Sequence, residues 1–208
     1  MEYPKIETLY DRNDKFKVDP TQIRLQEFSL INSWWITEKV DGTNVRVMWN
    51  YAEKTLKFGG RTDNAQMQTS LLTYLQDTFH PEQFAEYTSD VILFGEGYGE
   101  KIQNGGGYRK GVSFRLFDVL IGKWWLEPFG IKGIADYFKI ETVPFLRFIY
   151  ALPKTKEDLF HCCGIQSLVT MEDGGQGCLA EGIVARTVPG LLCRNGKRLM
   201  WKLKFKDF

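Results

Sequence analysis

Trp34-Trp35-Ile36-Thr37-Glu38-Lys39-Val40-Asp41-Gly42-Thr43-Asn44 is the stretch whose reading decides the fold. It reads as a strand that runs into a glycine turn. A lysine at the end of such a strand is presented on a rigid element, and the glycine after it leaves backbone space beside it. A lysine amine becomes a nucleophile only when desolvation or neighbouring cations favour its neutral form. Taken alone, Lys-x-Asp-Gly is weak and reads better as an exposed strand end followed by a turn.

Outward from this point the pattern is strand-rich. Val45 to Trp49 alternates apolar and polar residues, as a half-buried strand does, and Thr55 to Phe58 reads as its hairpin partner across the turn Asn50 to Lys54. Asn64 to Tyr87 carries apolar residues at helical spacing and is broken by Pro81 into two helices. Val91 to Gly95 and Val112 to Ile121 read as strands separated by the glycine-rich loop Asn104 to Gly107. Ile131 to Phe138 and Lys154 to Cys163 read as short helices, and Asp173 to Gly177 as a turn. Ile183 to Arg186, Leu191 to Arg194 and Leu199 to Phe205 read as closing strands. Strands with inserted helices predict an α+β fold with antiparallel sheets.

Composition narrows the class. The chain has 208 residues, a net charge of +1, and 15 Phe, 9 Tyr and 6 Trp, so large rings are available for packing and for stacking on bases. Any basic surface must be local. Lys197, Arg198, Lys202, Lys204 and Lys206 concentrate charge near the C-terminus with no acid among them. Cys162, Cys163, Cys178 and Cys193 form no CxxC pair, and His80 and His161, both in helix-like segments, offer no zinc-ligand spacing. Reduced thiols are expected, with Cys162 and Cys163 semi-buried near a helix end. The polar N-terminus and the lack of a long apolar run predict a soluble protein with no membrane partner, placed in the cytoplasm, or the host-cell cytoplasm if viral.

Five further segments carry chemistry. Gly59-Gly60-Arg61-Thr62 offers a guanidinium fork suited to phosphate or ribose oxygens. In Phe94-Gly95-Glu96-Gly97 the Glu96 carboxylate suits a ribose hydroxyl. Phe114-Arg115-Leu116-Phe117-Asp118 supplies rings that either fill a core or stack on a base. Glu181-Gly182-Ile183 places a carboxylate where it suits a divalent cation on phosphates. In Trp201-Lys202-Leu203-Lys204, residues two apart share one face of a strand, so Lys202 and Lys204 can meet one triphosphate. Each segment alone reads better as a strand end, a turn or an amphipathic edge. Their order along the chain, each supplying a different part of one reaction, argues against coincidence.

That order resembles the covalent nucleotidyltransferase superfamily of ATP-dependent DNA ligases, RNA ligases and mRNA capping enzymes, whose motifs I, Ia, III, IIIa, IV and V look like these six segments over Glu38 to Lys204. DNA ligases and capping enzymes commonly carry Arg five residues after the nucleophilic lysine. Asn44 stands there instead, and with Glu38 it resembles the branch of bacteriophage RNA ligase 2 and the editing ligases. Asp41 is shared more widely.

The resemblance implies a ligase-type nucleotidyltransferase domain of antiparallel sheets flanked by helices with a nucleotide pocket between them. It implies Lys39 as the nucleophile that becomes lysyl-AMP, and Glu38 as an adenine contact. It implies Asn44 and Arg61 at the ribose-phosphate region, Glu96 at the ribose, Phe117 stacked on adenine and Asp118 in support. Glu181 is implied at Mg²⁺ or Mn²⁺, and Lys202 and Lys204 at the phosphates. The implied activity uses ATP to adenylylate a 5′-phosphate RNA end and seal it to a 3′-hydroxyl. A DNA ligase, or an enzyme that adenylylates ends without efficient sealing, is the alternative. The chain is expected to act as a monomer and to be one nucleotidyltransferase domain over residues 1–208, with no C-terminal OB-fold or helical domain.

Overall fold

Alternation of large and small or polar side chains sets the strands, and the computed structural model describes all of residues 1–208. In chain order the strands are β1 (Glu7–Thr8), β2 (Tyr10–Arg12), β3 (Val18–Ile23), β4 (Trp34–Lys39), β5 (Thr43–Asn50), β6 (Thr55–Gly59), β7 (Val91–Gly99), β8 (Val112–Ile121), β9 (Trp124–Trp125), β10 (Glu141–Thr142), β11 (Phe145–Ile149), β12 (Gly182–Arg186) and β13 (Met200–Lys204). The helices are α1 (Thr69–Thr78), α2 (Pro128–Phe138), α3 (Lys156–Cys163) and α4 (Leu168–Asp173). This is the α+β class that the sequence predicts.

The chain forms two units. The first comprises Met1–Tyr3, Asp41–Val143 and Asp173–Gln176. Its six-stranded sheet runs β10-β8-β7-β5-β6, with β9 paired to β8. Val45, Val47 and Trp49 of β5 and Val91 and Leu93 of β7 point into one core with Leu71 and Leu75 of α1 and Ile131, Ala135 and Phe138 of α2. The i, i+4 spacing on each helix supplies its buried stripe. Pro128 opens α2, where its missing N–H is no loss.

The second unit comprises Pro4–Val40, Pro144–Glu172 and Gly177–Phe208. Its five-stranded sheet runs β1-β13-β12-β4-β11 and is antiparallel except for the β1–β13 pair. Trp34 and Ile36 of β4, Ile183 and Ala185 of β12, and Trp201 and Leu203 of β13 share its core with Leu159 of α3. Thr155 and Asp158 form a reciprocal cap that starts α3.

Several expectations shift. The helix expected from Asn64 begins at Thr69, and the piece after Pro81 is a single 3-10 turn, Pro81–Phe84, with His80 just before it rather than in a helix. Leu191 to Arg194 is not a strand: a lone bridge joins Leu192 to Arg198, and both leucines are exposed. Asp173 does not open a turn but ends α4, a helix the sequence did not show. All four cysteines are free, Cys162 and Cys163 are buried, and burial pushes both thiols up, that of Cys163 to about 12, which disfavours the reactive thiolate.

Candidate active site

Strand parity decides which side chains the second unit turns away from its core. With Trp34 and Ile36 inward, Trp35, Thr37 and Lys39 of β4 face the other way. On β12 the same face carries Gly182, Val184 and Arg186, and on β13 it carries Lys202 and Lys204. Gly182 is in register with Lys39 on one side and with Lys204 on the other. Glycine is required here: a Cβ would lie 2.1 Å from the Leu203 carbonyl oxygen and 2.7 Å from the Lys204 Cα. No side chain therefore stands between the two lysines.

Glu181 fills that place from the neighbouring position. One carboxylate oxygen meets Lys39 Nζ and the other meets Lys204 Nζ. The Glu181 N–H donates to the Lys39 carbonyl at 3.1 Å, which ties the segment to the end of β4. Burial pushes the Glu181 carboxyl up, but the charges and hydrogen bonds of Lys39 and Lys204 together outweigh it and hold it below the usual carboxylate value. Lys202 lies one pleat further along β13 on the same face, opposite Val184. Lys206, mostly exposed, approaches the same carboxylate at 4.0 Å.

Glu38 points the other way, into the unit, and is 2% exposed. Its carboxylate accepts from the Ser167 hydroxyl and, at 2.9 Å, from the Leu168 N–H, so it caps the first turn of α4. The sequence gives no sign of this partner, which comes from a short helix far along the chain.

The first unit carries the other expected residues. Asn44 of β5 is in register with Glu96 of β7. The Asn44 Oδ1 is buried with no hydrogen-bond partner in the protein. Gly42 packs on this pair: a Cβ there would lie 2.3 Å from the Gly97 carbonyl oxygen and 2.9 Å from Glu96 Cγ. That contact explains the glycine of Lys-x-Asp-Gly. The Asp41 N–H donates to the Tyr108 hydroxyl at 3.0 Å, and Asn104 of the glycine-rich loop reaches its carboxylate at 3.2 Å.

Phe117 is the extra residue of a β-bulge, because Phe94 pairs with Asp118 and Gly95 with Leu116. The bulge turns two successive side chains, Phe117 and Asp118, to the face away from the core. Tyr3 touches both: its ring meets Phe117 edge-on at 5.0 Å, and its hydroxyl donates to Asp118 at 2.7 Å. Arg61 is exposed. The arginine built into this region is Arg46, fully buried, whose guanidinium donates to the Gly60 and Met1 carbonyls and pairs with Asp63 at 2.8 Å. Tyr3, Arg46 and Tyr108 carried no motif, and only Arg46, a charge in an alternating strand, left a trace in the sequence.

A sheet-borne lysine that shares one carboxylate with a second lysine suits covalent nucleotidyl transfer, and the family that the chain matches is of the covalent nucleotidyltransferase class. The RNA ligase family model matches residues 32–204, and the chain belongs to the RNA ligase family. No curated protein sequence matches it. Among solved structures, a mutant of Naegleria gruberi RNA ligase with ATP and Mn superposes with a TM-score of 0.68 at 17% identity, covering 98% of this chain and 56% of that one. The same ligase with PPi gives 0.62 at 22% identity over 97% and 61%, and a mutant with AMP and Mn gives 0.62 at 19% over 97% and 61%. The likeness is one of fold, and the chain spans 56 to 61% of the length of these structures.

Proposed function

We propose that the chain is an ATP-dependent RNA ligase in which Lys39 takes AMP from ATP. The observation that carries the reading is the pairing of Lys39 and Lys204 on Glu181 across a bare glycine. In the first step Lys39 Nζ attacks the α-phosphorus, a P–N bond forms and pyrophosphate leaves. A 5′-phosphate oxygen of RNA then attacks the same phosphorus and frees the lysine. A 3′-hydroxyl attacks the activated 5′-phosphorus and AMP leaves.

The attack needs Lys39 as a free amine. Glu181 favours the ammonium form and lies in contact with the proton to be removed. Lys204, a second cation on the same carboxylate, opposes that form. The two groups thus hold Lys39 in place while limiting how firmly it keeps its proton. Lys202 and Lys204 then clamp phosphate oxygens as charge grows on them.

A divalent cation fits this site in one way only. No cluster of three or more His, Cys, Asp or Glu exists to cage a metal. A single carboxylate, Glu181, suits Mg²⁺ or Mn²⁺ held mainly by phosphate oxygens and water. Bound there, the ion neutralises charge on the phosphates. The ATP, AMP and Mn in the Naegleria gruberi structures support this choice of nucleotide and ion.

In the same reading the unpartnered Asn44 Oδ1 accepts from a ribose hydroxyl beside Glu96, Arg61 meets phosphate or ribose oxygens, and Phe117 stacks on adenine with Asp118 behind it. Glu38, implied at adenine by the resemblance, is not brought to the lysine face: both its carboxylate oxygens are held by Ser167 and Leu168 inside the unit, so its part in this reading is to position the strand end that carries Lys39. The four free cysteines suit a reducing compartment such as the cytoplasm, and no helix is long and apolar enough to cross a membrane. The protein acts as a monomer on RNA with 3′-hydroxyl and 5′-phosphate ends.

Incubation with α-labelled ATP, GTP or NAD and a divalent cation, followed by a denaturing gel, tests the first step. A labelled protein band with ATP that is absent in Lys39→Ala is expected. No band with ATP, or an equal band in Lys39→Ala, overturns the reading. Nicked RNA, RNA–DNA and DNA substrates then separate RNA sealing from DNA sealing and from end adenylylation alone.

A further inference from the structure

Three aromatic rings stand together on the second unit with no role in the chemistry above. Trp35 of β4 meets Phe145 at 3.9 Å and Phe148 at 5.3 Å between ring centroids, and Phe145 meets Phe148 at 5.6 Å. Phe145 and Phe148 belong to β11, the edge strand, and each is 42% exposed. A register shift within β11 lets both rings join Trp35, while Ile149 and Leu146 turn to the core. A protein core does not account for rings left this open.

Their position gives them a partner. Trp35 shares its strand face with Lys39, four residues along β4, or about 13 Å at the ordinary rise of a strand. Lys202 and Lys204, both partly exposed, lie on the same face, while Arg186, in register beside Trp35, is buried. Exposed rings in line with a row of cations are the two parts of a single-strand nucleic-acid surface: cations follow the phosphates, and rings stack on bases without reading them. A span of about 13 Å equals roughly four stacked nucleotides at 3.4 Å each.

We propose that Trp35, Phe145 and Phe148 form a stacking platform that holds unpaired bases of the RNA next to Lys39. The proposal rests on the ligase reading for the identity of the polymer. Bases inside an A-form duplex are already stacked and cannot lie on these rings, so the platform selects single-stranded RNA near the end to be joined.

The test is fluorescence polarisation at low salt. The probes are a short single-stranded RNA with a 5′-hydroxyl, which cannot be adenylylated, and a blunt duplex of the same sequence. Phe148→Leu keeps apolar bulk and removes the ring, and is expected to weaken single-stranded RNA binding about tenfold, the loss of one base–ring stack. The double variant Phe145→Leu/Phe148→Leu weakens it further, Phe148→Tyr retains it, and blunt duplex binding stays unchanged in all three. Thermal melting of each variant reports folding. Unchanged single-stranded affinity in the double variant overturns the proposal, as does an equal loss on single strand and duplex. Unchanged affinity with a shift in sedimentation would reassign the rings to a contact between copies. Binding is read without any lysyl-AMP, so failure of the ligase reading shows separately as absence of the adduct.

Discussion

Replacing Glu181 with glutamine removes the negative charge that Lys39 and Lys204 share while keeping the side chain's shape. The three side chains are 20%, 11% and 17% exposed for Lys39, Glu181 and Lys204, so the cluster lies near the buried end of the range. Breaking a buried pair costs about 3–5 kcal/mol, and an exposed one about 0–1 kcal/mol. Discounting for the partial exposure, Glu181→Gln should destabilise the protein by about 2–3 kcal/mol at pH 7. With a urea slope of about 2 kcal/mol/M, the unfolding midpoint falls by about 1–1.5 M. Tryptophan fluorescence reports the loss, because Trp34 and Trp201 meet at 5.6 Å in the core beneath these strands.

The pH dependence has a fixed sign. The folded carboxyl of Glu181 lies below its ordinary value. The unfolded chain titrates its glutamates near 4.3, roughly. The stabilisation from this group is therefore complete above the unfolded value and disappears as pH falls through the lower folded one. The difference between Glu181→Gln and the unaltered protein must narrow as urea melts are repeated from pH 7 down to pH 3. A difference under about 0.5 kcal/mol at pH 7, the scale of an ordinary surface change, would refute the shared-counterion argument. So would one that stays constant with acid.

Gly182→Ala drives a Cβ into the Leu203 carbonyl, so β12 and β13 must part. A loss of about 1–3 kcal/mol in thermal melts is expected from overpacking of this kind, together with a weaker lysyl-AMP band. Asp173→Asn strips the carboxylate from Arg115, which is 1% exposed, and from the Tyr98 hydroxyl at 2.6 Å. It should destabilise by about 3 kcal/mol, and an unchanged melting point would show that Arg115 does not depend on this carboxylate. Phe117→Ala should raise the KM for ATP about tenfold in the adduct assay, and Phe117→Trp should largely restore it, if the ring stacks on adenine. Tyr3→Phe removes a hydrogen bond to buried Asp118 and should lower stability by about 1.5–3 kcal/mol, read by the same melts.

The strand faces of Lys39, Lys202 and Lys204 were legible because strand alternation is a local property. The parity of each strand follows from its own alternation, and so does the shared face of Lys202 and Lys204, while the pairing of β4 and β13 with β12 is what adds Lys39 to it. What Glu181 does there was only half legible. A carboxylate before a glycine suggests a phosphate or metal site, but its grip on two lysines depends on which strands lie beside it. Leu191 to Arg194 misled for the converse reason: it has strand-like residues, but it pairs only with Lys197 to Leu199 across a tight turn, through one bridge and two backbone hydrogen bonds, too little to make a strand.

The placements that escaped the sequence are those made by distant partners, even where the residue itself was named. Phe117 and Asp118 are neighbours, and plain alternation would send one to the core and the other away from it. Only the bulge against β7 turns both to one side, and a bulge is a property of a strand pair, not of either strand. Glu38 shows the same dependence. Its parity on β4 is that of Trp34 and Ile36, which puts a carboxylate on the core face, where an unpaired charge is not tolerated. The fold answers with the Ser167 hydroxyl and the Leu168 N–H, and in doing so starts α4, a helix too short to announce itself. The acid beside Lys39 thereby fixes where the chain after α3 must lie, so one adjacent pair, Glu38 and Lys39, directs packing on one face of the sheet and, in the proposed reading, chemistry on the other.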